Sequence, residues 1–145
     1  MGAAKEGDRG KMNIGIVGTE VPVPAASVEA LGRQVALCLY DCDPVLIDDL
    51  ALVETAMLDA ARAAGATIVT QTFHRFSPWG ISGVVVIAES HLAIHTWPER
   101  GYAAIDVFTC GPMGVDAACQ HLIQAFRSGR QQTRVLTRGD DFDPE

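Results

Sequence analysis

Between Ile81 and Gly111 the chain reads ISGVVVIAESHLAIHTWPERGYAAIDVFTCG, three strand-length apolar blocks separated by two short breakers. β-Branched and aromatic residues fill Gly83–Ile87, alternate through Leu92, Ile94 and Thr96, and return over Tyr102–Phe108. Ala88-Glu89-Ser90 and Pro98-Glu99-Arg100-Gly101 interrupt them with turn-forming residues. The pattern predicts an antiparallel three-stranded meander, and any fold for this chain has to accommodate one.

Hairpin arithmetic sorts the reactive side chains of the meander into pairs. A second hairpin centred near Arg100 makes paired residue numbers add to about 200, which sets Ser90 opposite Cys110 with Cβ atoms roughly 5 Å apart. A two-residue turn at Ala88-Glu89 makes them add to about 177 in the first hairpin, which sets Ser82 opposite His95. Ser90 and His95 stand five apart on one strand, so they point to opposite faces and lie about 16 Å apart along it. Contact between the two pairs then requires a second copy of the chain or a bend in the strand. His91 and His95 lie about 13 Å apart on an extended strand, too far to share a metal. A cysteine hydrolase built on Cys110 and His95 is conceivable from residue types alone, but no oxyanion-hole or triad signature accompanies them.

The flanks supply the scaffold. Gly32–Tyr40 reads as a strand, and Asp41-Cys42-Asp43-Pro44 as its exit turn, with Asp43 a candidate cap for the helix that follows. Leu46–Ala64 places Leu46, Leu50, Val53, Met57, Leu58 and Ala61 on one side and Glu54 and Asp59 on the other, and ends at Gly65. Thr67–Phe73 alternates as a strand, Phe76–Gly80 is a turn, Val115–Phe126 is a second amphipathic helix and Thr133–Leu136 a closing strand. This order predicts an α+β two-layer sandwich, a mostly antiparallel sheet with two helices packed on one face.

At 145 residues and 48% hydrophobic, the chain can furnish one core unaided. Residues 1–28 read as a partly disordered extension and residues 29–145 as a single domain. Met12–Gly18 can form a short strand but lacks the dinucleotide-binding fingerprint. A formal charge of −7 with only 11 Lys and Arg argues against nucleic acid as partner. The same acidity suits a cationic small molecule, or merely solubility. No apolar run approaches about 20 residues and nothing in Met1–Lys11 forms the apolar core of a signal peptide, so the expected location is cytoplasmic, away from membranes. Cys38, Cys42, Cys110 and Cys119 form no C-x-x-C pair and imply free thiols in a reducing compartment.

The string Glu89-Ser90-His91, with Ile94-His95-Thr96-Trp97-Pro98-Glu99 and Phe108-Thr109-Cys110-Gly111, resembles the self-processing S-adenosylmethionine decarboxylases of the short prokaryotic type. The likeness runs over roughly Leu31 to Gly139 and includes Phe73-His74-Arg75-Phe76-Ser77-Pro78 and Ser82-Gly83-Val84-Val85-Val86. It implies autocatalytic cleavage between Glu89 and Ser90. Ser90 would attack the Glu89 carbonyl, and elimination and hydrolysis would leave covalently bound pyruvate, a pyruvoyl group derived from Ser90, on the new N-terminus. That group would form a Schiff base with the substrate amine and accept the electrons released with carbon dioxide. The resemblance further implies His95 as proton acceptor in processing with Ser82 assisting, Cys110 as general acid in decarboxylation, and a homodimer. Glu99 and Trp97 are candidate substrate contacts, His74 a structural or pocket-lining residue, and no metal is implied. The product would be the aminopropyl donor of spermidine and other polyamines.

Three positions depart from the family's pattern: Gln34 stands in place of a histidine, Cys38 in place of an acidic residue, and Arg100 in place of a tyrosine. Loss of a carboxylate near a cationic substrate and gain of an arginine leave open a sister pyruvoyl enzyme acting on arginine or ornithine. A non-catalytic paralogue that modulates an active partner is open on the same grounds.

Overall fold

Apolar residues at every second position let the central strands turn one face to a core. The computed structural model describes residues 15–17 and 30–139, and within them the chain forms a single antiparallel sheet. Its strands are β1 (Gly15–Val17), β2 (Gly32–Tyr40), β3 (Ile68–Arg75), β4 (Ile81–Ile87), β5 (Ser90–Trp97), β6 (Tyr102–Thr109) and β7 (Arg130–Arg138). Their spatial order is β1-β7-β2-β6-β5-β4-β3. Helices α1 (Leu50–Ala63) and α2 (Val115–Ala125) lie together on one face, so the α+β two-layer sandwich is the observed architecture. Of the N-terminal extension only β1 is described, paired with β7, and the expectation of disorder elsewhere in it lies outside the described residues.

The core fills the space between sheet and helices. Val35, Leu37 and Leu39 of β2, Leu92 and Ile94 of β5, and Ile105 and Val107 of β6 are fully buried in one cluster with Val53 and Met57 of α1 and Leu122 of α2. Each such side chain contributes about 1.5–3 kcal/mol through its removal from water. Among the described residues, the other face of the sheet carries no helix.

The helix expected from Leu46 starts later. Asp43 accepts the Val45 N–H at 3.0 Å, and its backbone carbonyl takes the Leu46 and Ile47 N–H groups, which closes a 3-10 turn over Leu46–Asp48. Asp49, not Asp43, caps α1 by accepting from the Leu52 N–H at 3.0 Å. Ile47 is buried within the 3-10 turn, so apolar spacing alone does not separate the turn from the helix behind it. At the far end Gly65, at φ 75°, donates to Arg62 O while Ala66 donates to Ala61 O, the bonding pattern that ends a helix on a left-handed residue.

β4 and β5 pair as expected, Ser82 opposite His95. The β5–β6 register differs by one residue: Ser90 faces Thr109 and not Cys110, which lies just beyond the strand. Face matching requires this. Leu92, Ile94 and Thr96 on β5 and Ala103, Ile105 and Val107 on β6 all turn to the core, and even-numbered positions meet odd-numbered ones only when the two numbers add to an odd value. A slip to about 200 would set Leu92 against Phe108 and turn one strand's core residues to solvent.

Gly83 is opposite Phe73 in the β3–β4 register, and a Cβ on Gly83 would overlap the Phe73 ring. Gly83→Ala is expected to lower stability by about 1–3 kcal/mol through overpacking. An unchanged denaturation midpoint would show that the ring swings clear at no cost.

Candidate active site

The β4–β5 turn is anchored before it can carry chemistry. The Ala88 N–H donates to Thr67 O at 2.8 Å, and the Thr67 N–H donates to a Glu89 carboxylate oxygen at 3.3 Å. The Glu89 backbone carbonyl then accepts twice from one residue, the Cys110 N–H at 2.8 Å and the Cys110 thiol at 3.1 Å. Ser90 follows at φ 147°, a region that suits glycine and costs a residue with a side chain about 1–3 kcal/mol. Its hydroxyl lies 3.7 Å from the Cys110 sulfur. Although Cys110 is not opposite Ser90 in the ladder, the exit of β6 folds its thiol back onto the turn. The structure thus gathers Glu89, Ser90 and Cys110 around a single peptide carbonyl.

Ser82 and His95 form a second group. Ser82 Oγ and His95 Nδ1 are 2.7 Å apart on adjacent strands. They lie on the uncovered face of the sheet, in a depression of about 340 Å³ bordered by Thr72, His74 and Ala93. The two groups stay separate, because β5 keeps its pairing with β4 and with β6 without interruption from Ser90 to His95. The strand does not bend to bring Ser90 to His95.

Trp97 and Glu99 take different places. Trp97 extends the open face as part of an aromatic series, 6.4 Å from the His95 ring and 5.3 Å from Tyr102, which is 5.2 Å from Tyr40. Glu99 borders a separate depression of about 720 Å³ with Trp79, Leu50, Asp48 and Arg75. There the Gly80 N–H, and then Arg75, hold the Asp48 carboxyl below its ordinary range. The departing residues are accommodated locally. Cys38 accepts the Tyr102 hydroxyl at 3.2 Å, and burial first, then this bond, pushes the Tyr102 pKa up. Gln34 accepts from Arg138 at 2.9 Å and faces Asp106 at 3.4 Å, while Arg100 is exposed in the β5–β6 turn.

An antiparallel sheet backed by two helices, with a serine, a cysteine and a serine–histidine pair set along one meander, belongs to the class of α+β enzymes. The family model described as S-adenosylmethionine decarboxylase matches residues 33–139, and the chain belongs to that family. The S-adenosylmethionine decarboxylase proenzyme of Pseudomonas aeruginosa is 61% identical over 119 residues, covering 81% of this chain and 74% of that protein. The proenzyme of the same name from Acidithiobacillus ferrooxidans is 53% identical over 113 residues, covering 77% and 85%. That of Thermotoga petrophila is 55% identical over 114 residues, covering 77% and 87%. The crystal structure of the adenosylmethionine decarboxylase from Aquifex aeolicus superposes with a TM-score of 0.73 at 32% identity, over 81% of this chain and all of that one. None of these names favours the alternatives of an arginine or ornithine decarboxylase or a non-catalytic paralogue.

Burial separates the four free thiols, with Cys38 half-buried between two extremes. Cys42 and Cys119 are buried, and burial pushes their pKa values up to about 11 and about 12, whereas Cys110 is exposed. A raised pKa means less thiolate at a given pH, and thiolate is the reactive form. A maleimide at pH 8 should therefore label Cys110 in the native protein and reach Cys42 and Cys119 only after unfolding. Labelling of Cys119 at the rate of Cys110, read by peptide mapping, would contradict this account.

Proposed function

We propose that the chain is a proenzyme that cuts itself between Glu89 and Ser90 and then removes the carboxyl group of S-adenosylmethionine, using a pyruvoyl group made from Ser90. The product would serve as aminopropyl donor in polyamine synthesis. The carrying observation is the Glu89 carbonyl, gripped by the Cys110 N–H and thiol directly before a strained Ser90. Residues 29–145 would act as one domain that is covalently two chains after the cut. A reducing, cytoplasmic setting would keep the Cys110 thiol free; among the described residues no helix is long and apolar enough to cross a membrane.

Each step has a residue suited to it. The Ser90 hydroxyl adds to the Glu89 carbonyl carbon, and the charge that develops on the carbonyl oxygen falls where two donors already point. The C–N bond breaks, the nitrogen takes a proton, and Glu89 is left esterified to the Ser90 oxygen. Removal of the Ser90 α-proton breaks the Cβ–Oγ bond and releases Glu89 as a carboxylate; His95 is the base, held by Ser82. Water then displaces the nitrogen as ammonia. The pyruvoyl group so formed supplies a conjugated carbonyl that accepts the electron pair released with carbon dioxide. Cys110 stays beside position 90, where its thiol can return a proton to the substrate carbon.

His95 cannot serve the Ser90 of its own chain across five residues of uninterrupted β5, about 16 Å. We therefore assign a two-fold dimer, in which Ser90 and Cys110 of one chain face Ser82 and His95 of the other, each contact being repeated in reverse. The uncovered sheet face offers such a surface, with acidic Asp106 and basic Arg134 both on it, each directly paired with Ala36.

Purified protein should consist of residues 1–89 and a 56-residue remainder, 145 less 89. Ser90→Ala should remain one chain by intact mass, and the cut protein should release carbon dioxide from S-adenosylmethionine. Persistence of full-length wild-type protein on long incubation would refute the cleavage. Release of carbon dioxide only from arginine or ornithine would refute the substrate. Co-expressed Ser90→Ala and His95→Ala chains should yield cut His95→Ala chain, whereas cutting that tracks each chain's own His95 would refute the shared site.

A further inference from the structure

Ser82 is flanked by a histidine on both sides. In the β3–β4 register it is opposite His74, and in the β4–β5 register it is opposite His95, so the three side chains form a row across the open face of the sheet. His74 and His95 border the same depression of about 340 Å³. His74 is exposed and not itself hydrogen-bonded to Ser82; its ring rests edge-on against Phe76 with centroids 4.6 Å apart. Directly opposed Cβ atoms are about 4.5–5.5 Å apart, a span that the Ser82–His95 pair closes to a 2.7 Å bond. At that separation, rotation of the His74 ring would turn a nitrogen toward Ser82 from the other side.

The row matters because Ser82 has one proton. If Ser82 donates to His95 Nδ1, the neutral His95 ring carries its own proton on Nε2 and has no free lone pair with which to act as a base. If Ser82 instead accepts from His95 Nδ1–H, then Nε2 is free, but the Ser82 proton needs another acceptor. The one side chain directly opposite Ser82 on its other flank is His74. We propose that His74 is a positioning residue for self-cleavage: it accepts the Ser82 proton, which turns Ser82 into an acceptor for His95 Nδ1–H and leaves His95 Nε2 as the base. This inference rests on the self-cleavage reading above and adds a residue whose effect passes through Ser82 alone.

Two measurements on the full chain test it. In Ser90→Ala protein, which cannot cut, ¹⁵N NMR of the imidazoles should show His95 protonated on Nδ1, and in Ser90→Ala/His74→Phe it should shift to protonation on Nε2. In otherwise wild-type protein, His74→Phe should slow cleavage by about tenfold or more, with His74→Leu as a second substitution where phenylalanine disturbs the Phe76 contact. A lost packing contact alone would not move the His95 tautomer. The same tautomer in both proteins, or wild-type cleavage in the folded His74 variant, overturns the proposal. Should wild-type protein never cut, the self-cleavage reading fails instead, while wild-type cutting with an unaffected variant removes only His74.

Discussion

The strict alternation of side chains across β4, β5 and β6 is the constraint on which the rest depends. Strand register can change only in whole residues, and each one-residue step exchanges core and solvent faces. Because Leu92, Ile94, Ile105 and Val107 are fully buried together, the step has no cheap intermediate. The core therefore fixes Ser82 opposite His95 and holds the end of β6 level with the β4–β5 turn. Chemistry on the open face and at the turn inherits its geometry from packing on the other side.

The turn itself opposes that stability. A serine at φ 147° is unfavourable, and it persists because its neighbours are fixed independently: Ala88 through Thr67, Glu89 through Cys110, and the ladder from Ile87 and Ser90 onward. The two donors on the Glu89 carbonyl also reduce electron density at the carbon Ser90 would attack. In the proposed cleavage, support of the strained Ser90 and activation of the carbonyl would reside in the same contacts.

How much of this was legible in the sequence follows from how tightly each connection is determined. A two-residue turn admits essentially one register, so the Ser82–His95 pair could be read from spacing. The four-residue link through Pro98 and Gly101 admits more, and only the parity of the core residues on both strands selects among them; centring the hairpin on Arg100 missed by one. Cys110 reaches Ser90 from beyond the strand, through a backbone bond to Glu89 that no periodicity encodes. His74 was harder still, since the Phe76–Gly80 connection between β3 and β4 leaves the register open and hides that Ser82 has a second histidine opposite it. The start of α1 was misplaced because Asp43 and Asp49 each precede apolar residues, and only the bonds they accept distinguish a 3-10 turn from a helix cap.

The departures from the family's pattern read differently once placed on the sheet. Cys38 does not leave a vacant polar position, since its sulfur takes the Tyr102 hydroxyl, and Gln34 joins Asp106 to Arg138 across two strands. Both changes lie on the open face, among the side chains a two-fold partner would cover, rather than at the Glu89 carbonyl. In the proposed dimer a substitution there would bear on how two sheets fit together, and Cys38 also touches, through Tyr102 and Trp97, the same face that carries His95. The turn and the open face are therefore held by separate contacts: at the turn a positive φ and two hydrogen bonds meet at one carbonyl, while on the open face Gln34, Asp106 and Arg138 are joined across neighbouring strands.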